Sequence, residues 1–182
     1  MVLGGEGRII MKLDKFTFLT PNGLVSGLWA CKRTRGAKYP QVYPQDFLKR
    51  VYNLLEIDEK KHRVCHLFSG TIEGEYTVDL NPNTPAKFKE DATKTHFSDN
   101  FFDLVLADPP YDDERAKLFG FKKAPKIKDI LKEARRITKP NGYYGILHFV
   151  VPSDYFKERI AVIGVTEGAN MRIRAFTLFK KV

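Results

Sequence analysis

Cysteine is scarce in this chain: 182 residues contain only Cys31 and Cys65, neither in a Cys-x-x-Cys pair nor within a Cys/His cluster. A disulfide framework and a structural zinc site both need more thiols at closer spacing, so neither is expected, and no metal is expected. Long apolar runs are missing as well; no stretch approaches the ~20 residues a membrane-spanning helix requires. The opening residues Met1-Val2-Leu3-Gly4-Gly5-Glu6 lack the basic region, apolar core and cleavage site of a secretory signal. A reducing, cytoplasmic setting away from membranes is the expectation. Internal repeats, low-complexity tracts and Pro/Gly/Ser linkers are absent too, which leaves one compact unit with a core of ordinary size.

Composition is otherwise that of a folded chain, with 43% hydrophobic and 29% charged residues. Charge is the informative quantity. Thirty-one Lys and Arg against 22 Asp and Glu give a formal net charge of +9. A surplus of this sign suits polyanions, nucleic acid first among them, because phosphates are neutralised by Lys and Arg. The densest basic cluster is Lys32-Arg33-Thr34-Arg35-Gly36-Ala37-Lys38, followed by Lys122, Lys123, Lys126 and Lys128, then Arg172 with Arg174. A solvated basic face would have the same composition, so charge favours nucleic acid only narrowly.

Hydrophobic patterning divides the chain near residue 43. Residues 1–43 read as an extension of short strands and turns, interrupted by Pro21-Asn22-Gly23. Residues 44–182 read as the larger unit. Phe47, Leu48, Val51, Leu54 and Leu55 recur at helical spacing, with Pro44 in the first turn. From residue 63 the pattern becomes the alternation of an α/β protein. Strands are expected at 64–68, 75–80, 103–107, 143–151, 161–165 and 173–179, with a short element at 86–88. Ile127, Ile130, Leu131, Ala134 and Ile137 predict an amphipathic helix stopped by Lys139-Pro140-Asn141-Gly142, and 154–159 a short one. The final strand is expected to return antiparallel beside the one before it.

Against this background Asp108-Pro109-Pro110-Tyr111 stands out, directly after the mostly apolar run Phe102-Asp103-Leu104-Val105-Leu106-Ala107. At average residue usage the tetrapeptide arises by chance in about one such chain per thousand. A carboxylate, two stiff residues with free carbonyl acceptors and an aromatic ring suit the gripping of a planar amino group. The plainer reading is a rigid turn leaving a strand.

The segment Val64-Cys65-His66-Leu67-Phe68-Ser69-Gly70, then Val78-Asp79, then Glu90-Asp91-Ala92, then Asp108-Pro109-Pro110-Tyr111, resembles the S-adenosylmethionine-dependent amino-methyltransferases. The resemblance runs from about residue 39 to the end, and its Asp-Pro-Pro-Tyr element is specific. It implies a Rossmann-like sheet, mostly parallel with an antiparallel last strand. It implies S-adenosyl-L-methionine as cofactor and an exocyclic amine as acceptor, adenine N6 in DNA before RNA. Guanine amino groups in RNA and glutamine side chains in proteins are the other acceptors it allows; a binding module without catalysis is the reading outside enzymology.

By that resemblance Asp108 and the Pro109 carbonyl would accept the amine N–H groups, and Pro110 would stiffen the loop. Tyr111 would stack on the extruded base. Phe68, Ser69 and Gly70 would approach the methionine portion of the cofactor. Asp79 would take the ribose hydroxyls and Asp91 the adenine amino group. Tyr39, in Tyr39-Pro40-Gln41-Val42-Tyr43-Pro44, would flank the sulfonium. The plainer alternatives are an Asx-turn at Asp79, an ordinary tight turn at Ser69-Gly70, a loop carboxylate at Asp91 and tyrosines packed on the sheet edge. Phe119-Gly120-Phe121-Lys122-Lys123 is the candidate substrate loop. Trp29, His62, His66, His96 and His148 read as structural.

One departure is visible in the spacing. Parallel strands joined through a helix need about a dozen or more connecting residues. The gaps after residues 68 and 80 are shorter. Either the two helices usual there are missing or reduced to loops and the fold is a minimal one, or the first two strands pair differently.

Overall fold

In the computed structural model, which describes residues 11–32, 43–118, 120–167 and 172–182, the short gaps produce no helices. Strand β3 (Val64–Leu67) pairs in parallel with β4 (Thr77–Val78), His66 opposite Thr77 and Leu67 opposite Val78. Residues 68–76 cross between them by turns alone, and residues 79–101 run without a helix as well. The short element expected at 86–88 reduces to a parallel bridge between Val78 and Phe88.

The eight strands among the described residues belong to one mixed sheet, in the order β1 (Thr17–Leu19), β2 (Val25–Cys31), β7 (Arg159–Glu167), β8 (Arg174–Lys180), β6 (Thr138–His148), β5 (Phe102–Ala107), β3, β4. β5 lies parallel between β3 and β6. β8 runs antiparallel between β6 and β7, as expected of the last strand. The chain is thus an α/β protein with a mixed sheet, consistent with a Rossmann-like arrangement. The N-terminal hairpin, β1 and β2, extends the same sheet, because β2 pairs in parallel with β7 from Val25–Ala161 to Cys31–Glu167.

Two apolar layers flank the sheet. On one face α1 (Phe47–Leu55) buries Phe47, Val51, Leu54 and Leu55 against Trp29, Leu104, Leu106 and Phe176. On the other, α3 (Ile127–Ile137) buries Ile130, Leu131, Ala134 and Ile137 against Val105, Tyr144, Ile146 and Phe179. The alternation Leu104/Leu106 against Val105/Ala107 along β5 sends successive side chains to opposite layers, as a pleated strand requires.

Several boundaries differ from the sequence expectation. Helix α1 starts at Phe47 rather than Pro44, because Asp46 before it takes a left-handed conformation (φ 67°); its side chain makes no capping hydrogen bond. The stop signal Lys139-Pro140-Asn141-Gly142 does end α3, yet β6 begins at once at Thr138, with Asn141 at φ 64° in an irregular stretch of the pairing with β5. The strand expected to reach residue 151 ends at His148. The helix expected at 154–159 is a single 3-10 turn, Phe156–Glu158. A small helix, α2 (Asp113–Leu118), follows the Asp-Pro-Pro-Tyr motif.

Candidate active site at the ends of the parallel strands

Register brings three of the singled-out residues to one edge of the sheet. Leu67 pairs with both Val78 and Ala107, so the residues that follow them, Phe68, Asp79 and Asp108, leave neighbouring strands at the same level. Ala107 pairs with Ile146, which carries His148 to that edge from β6.

The turn leaving β3 is tightly constrained. Phe68 (φ 56°) and Gly70 (φ 55°) both adopt the left-handed region, which costs a non-glycine residue about 1 kcal/mol or more. The Phe68 ring is buried and meets Phe121 with centroids 5.8 Å apart. Gly70 donates its N–H to Asp79 Oδ2 at 2.9 Å, and Ser69 donates to the Val78 carbonyl at 3.0 Å. The Ser69 hydroxyl is buried without a hydrogen-bond partner.

Asp79 is buried, and its second oxygen accepts the Asn81 N–H at 2.9 Å, which makes the Asx-turn a fact of the structure. Burial raises its carboxyl above the usual range, opposed by those two N–H donors and by Lys89. Asp91 is exposed and accepts from both the N–H and the hydroxyl of Thr93 at 2.8 Å. Neither arrangement uses every lone pair of its carboxylate. Tyr39 lies outside the described residues, as does Phe119 of the expected substrate loop. Tyr43 is buried and stacks on Phe47 with centroids 5.1 Å apart.

The motif itself is the most engaged part of the edge. Asp108, Pro109 and Pro110 are all buried. The Tyr111 hydroxyl donates to Asp108 Oδ1, and Arg174 Nη1 donates to the Tyr111 oxygen at 2.8 Å while standing 3.5 Å from Asp108 Oδ2. Arg174 Nη2 is paired with Glu167. Burial pushes the Asp108 carboxyl up to about 6, with Arg174 and Tyr111 pulling it down and Glu167 pushing it further up. The Tyr111 ring meets His148 and Phe149 edge-on, at 5.2 Å and 4.6 Å.

Two of these partners escaped the sequence reading. Arg174 reads there only as part of a basic cluster; nothing local marks a cation 66 positions from Asp108 as its neighbour. His148 reads as structural, yet packs on the motif's tyrosine. His66, by contrast, is buried and bonded through Nε2 to the Tyr52 hydroxyl (3.2 Å), with its Nδ1 buried without a partner. Both cysteines are buried free thiols. Among the described residues no cluster of three or more His, Cys, Asp or Glu could hold a metal ion, and no helix is long and apolar enough to cross a membrane.

Comparison with known proteins adds one likeness. Over 81 residues the chain is 37% identical to a demethylmenaquinone methyltransferase of Chlamydia caviae, a match covering 42% of this chain. The match spans about a third (34%) of that relative's length. No protein-family model matches the chain.

Proposed function

We propose that this protein is an S-adenosylmethionine-dependent methyltransferase acting on an exocyclic amino nitrogen, adenine N6 in DNA before other acceptors. The observation that carries the reading is the burial of Asp108-Pro109-Pro110 at the end of β5, level with the left-handed Phe68–Gly70 turn. The antiparallel β8 inserted between β6 and β7, and the methyltransferase relative, support the class of reaction.

The residues present fit the cofactor. The buried, unpartnered Ser69 hydroxyl is a polar atom that a ligand at this turn would satisfy. Ser69 and Gly70 would hold the methionine portion, Asp79 would use its remaining lone pairs for ribose hydroxyls, and Asp91 would meet the adenine. When bound, the cofactor supplies an activated methyl group. The chain's part is to position the acceptor and favour the charge that develops on it. An aromatic amine is a poor nucleophile, its lone pair being delocalised into the ring. Asp108 as an anion, with the Pro109 carbonyl, accepts the N–H groups and favours a pyramidal nitrogen. The basic surface would meet the phosphates of the substrate.

The relative's acceptor, by its name a demethylmenaquinone, gives a second reading. It is favoured by the exposed apolar run Phe149, Val150 and Val151 beside Tyr111. Labelled methyl transfer to DNA, ribosomal RNA, protein and demethylmenaquinone separates the two. Transfer to adenine N6, lost in Asp108→Ala with cofactor binding retained by calorimetry, supports the first reading. Transfer to the quinone alone replaces it with the second. No heat of S-adenosylmethionine binding by the wild type ends both.

A further inference from the structure

Among the described residues Arg174 is the one charged side chain that reaches both functional groups of the motif, and it does so from β8, which β6 separates from β5. It opens β8 and is almost wholly buried, at 9% exposure. Its Nη1 lies 2.8 Å from the Tyr111 hydroxyl and 3.5 Å from Asp108 Oδ2; its Nη2 is held by Glu167 at the end of β7. Tyr111 in turn donates to Asp108, so carboxylate, phenol and guanidinium close a ring of three. A buried guanidinium is costly to desolvate unless its donors are matched, and here they are matched to the groups the proposed reaction needs.

We propose that Arg174 is a positioning residue of this site, holding Asp108 as an anion and Tyr111 in one orientation so that the amine meets a hydrogen-bond acceptor. This rests on the amino-methyltransferase reading above. A protonated Asp108 would turn one of its two acceptor oxygens into a donor, and the amine would lose its grip. The groups that bear on Asp108 are Tyr111 on its own loop, Arg174 from β8, Glu167 from β7 and Tyr43 ahead of α1. Of these only Arg174 is a cation. Burial and Glu167 both raise the Asp108 carboxyl, so without Arg174 nothing of opposite charge resists them.

A purely structural role, fastening β8 to the motif, predicts a different outcome. The test compares Arg174→Met and Arg174→Lys with wild type, reading methyl transfer across pH 5.5–9.5 and titrating the Asp108 carboxyl carbon by NMR. In Arg174→Met the carboxyl is expected to titrate about one unit or more higher, with transfer at pH 6 down about fivefold or more and largely regained at pH 9. Arg174→Lys restores part of the shift, and cofactor affinity stays within about twofold of wild type. A folded Arg174→Met whose Asp108 titrates as in wild type overturns the proposal. So does a rate lowered equally at every pH. If the wild type transfers no methyl group to any amine, the functional reading fails, and the NMR titration still decides whether Arg174 sets the state of Asp108.

Discussion

The backbone N–H of Gly70 donates to Asp79 Oδ2 at 2.9 Å, tying the turn that leaves β3 to the residue that follows β4. The same carboxylate accepts from Asn81 at 2.9 Å. One side chain therefore satisfies two backbone donors in a crossover that has no helix to satisfy them. Replacing Asp79 by Ala strips both at a buried position, and each orphaned donor costs about 1–3 kcal/mol. Asp79→Ala is expected to lose about 2–6 kcal/mol in urea unfolding and to bind cofactor far more weakly. Asp79→Asn keeps one acceptor oxygen and should recover about half of the stability. An Asp79→Ala protein as stable as wild type would show that the tie carries no load.

Asp108 and His66 make opposite demands on pH. The Asp108 carboxyl sits at about 6, above the ordinary ~3.9, so the folded state binds that proton more tightly than the unfolded state. Its contribution to stability is full below about pH 4 and is lost as pH rises through 6. His66 is pushed by burial down to about 4, below the ordinary ~6.5, so stability is lost as pH falls from about 6.5 to 4. Each effect is worth about 3 kcal/mol at the limit, and over the shared window they oppose one another. Relative to wild type, Asp108→Asn should lose stability on acidification from pH 6.5 to 4, and His66→Gln should gain it. Urea melts at four pH values check this; parallel curves for all three proteins would refute the assignment.

How much of this was legible in the sequence depends on distance along the chain. The missing helix after β3 could be read from the spacing, since residues 68–76 are too few for a helical crossover; the stretch 79–101 that joins β4 to β5 is long enough for one, so its lack of a helix could not. Helix α3 was legible to the residue because its apolar positions and its stop signal agree. The motif residues fall at strand ends as expected, because strand termini follow from local apolar runs. Pairings over long separations carry no local signal. Nothing in Val25–Cys31 announces β7 as its partner across more than 130 residues, and nothing in Arg174 announces Asp108. Strand lengths were overestimated at 75–80 because the alternation continues past the last ladder partner; only Thr77–Val78 pairs as a strand.

Gly27 gives a direct test of how the N-terminal hairpin joins the sheet. A Cβ built at Gly27 would stand 2.2 Å from the Phe16 carbonyl oxygen and 3.0 Å from the Thr17 Cα, both backbone atoms that cannot swing aside. Gly27→Ala should therefore part β1 from β2, at a cost of about 1–3 kcal/mol for an overpacked contact. Since β1 is a three-residue edge strand, hydrogen exchange should rise over residues 16–19 while the edge bearing Asp108 stays protected. Protection lost equally across β5 and β6 would mean that the hairpin and the central sheet unfold as one.

Glu133 shows how the helix-free stretch 79–101 is held in place. It sits on α3 three residues after Ile130 and one before Ala134, within the buried stripe, and is 5% exposed. A carboxylate at such a position needs partners, and its Oε1 accepts the Thr95 N–H at 2.7 Å and the Thr95 hydroxyl at 2.6 Å. Arg136 completes the bracket with bonds to both Glu133 oxygens, to the Thr95 and Phe97 carbonyls and to Asp99. These donors hold the Glu133 carboxyl below the usual range despite its burial. Glu133→Ala would leave the Thr95 N–H and part of the Arg136 guanidinium without partners, at an expected cost of about 3–5 kcal/mol. Glu133→Gln preserves the shape and one acceptor, and should cost about half as much. The loss should appear first as faster hydrogen exchange at residues 93–97, because α3 keeps its own apolar anchors. If Glu133→Ala instead loosens α3 and leaves 93–97 protected, the bracket serves the helix rather than the loop.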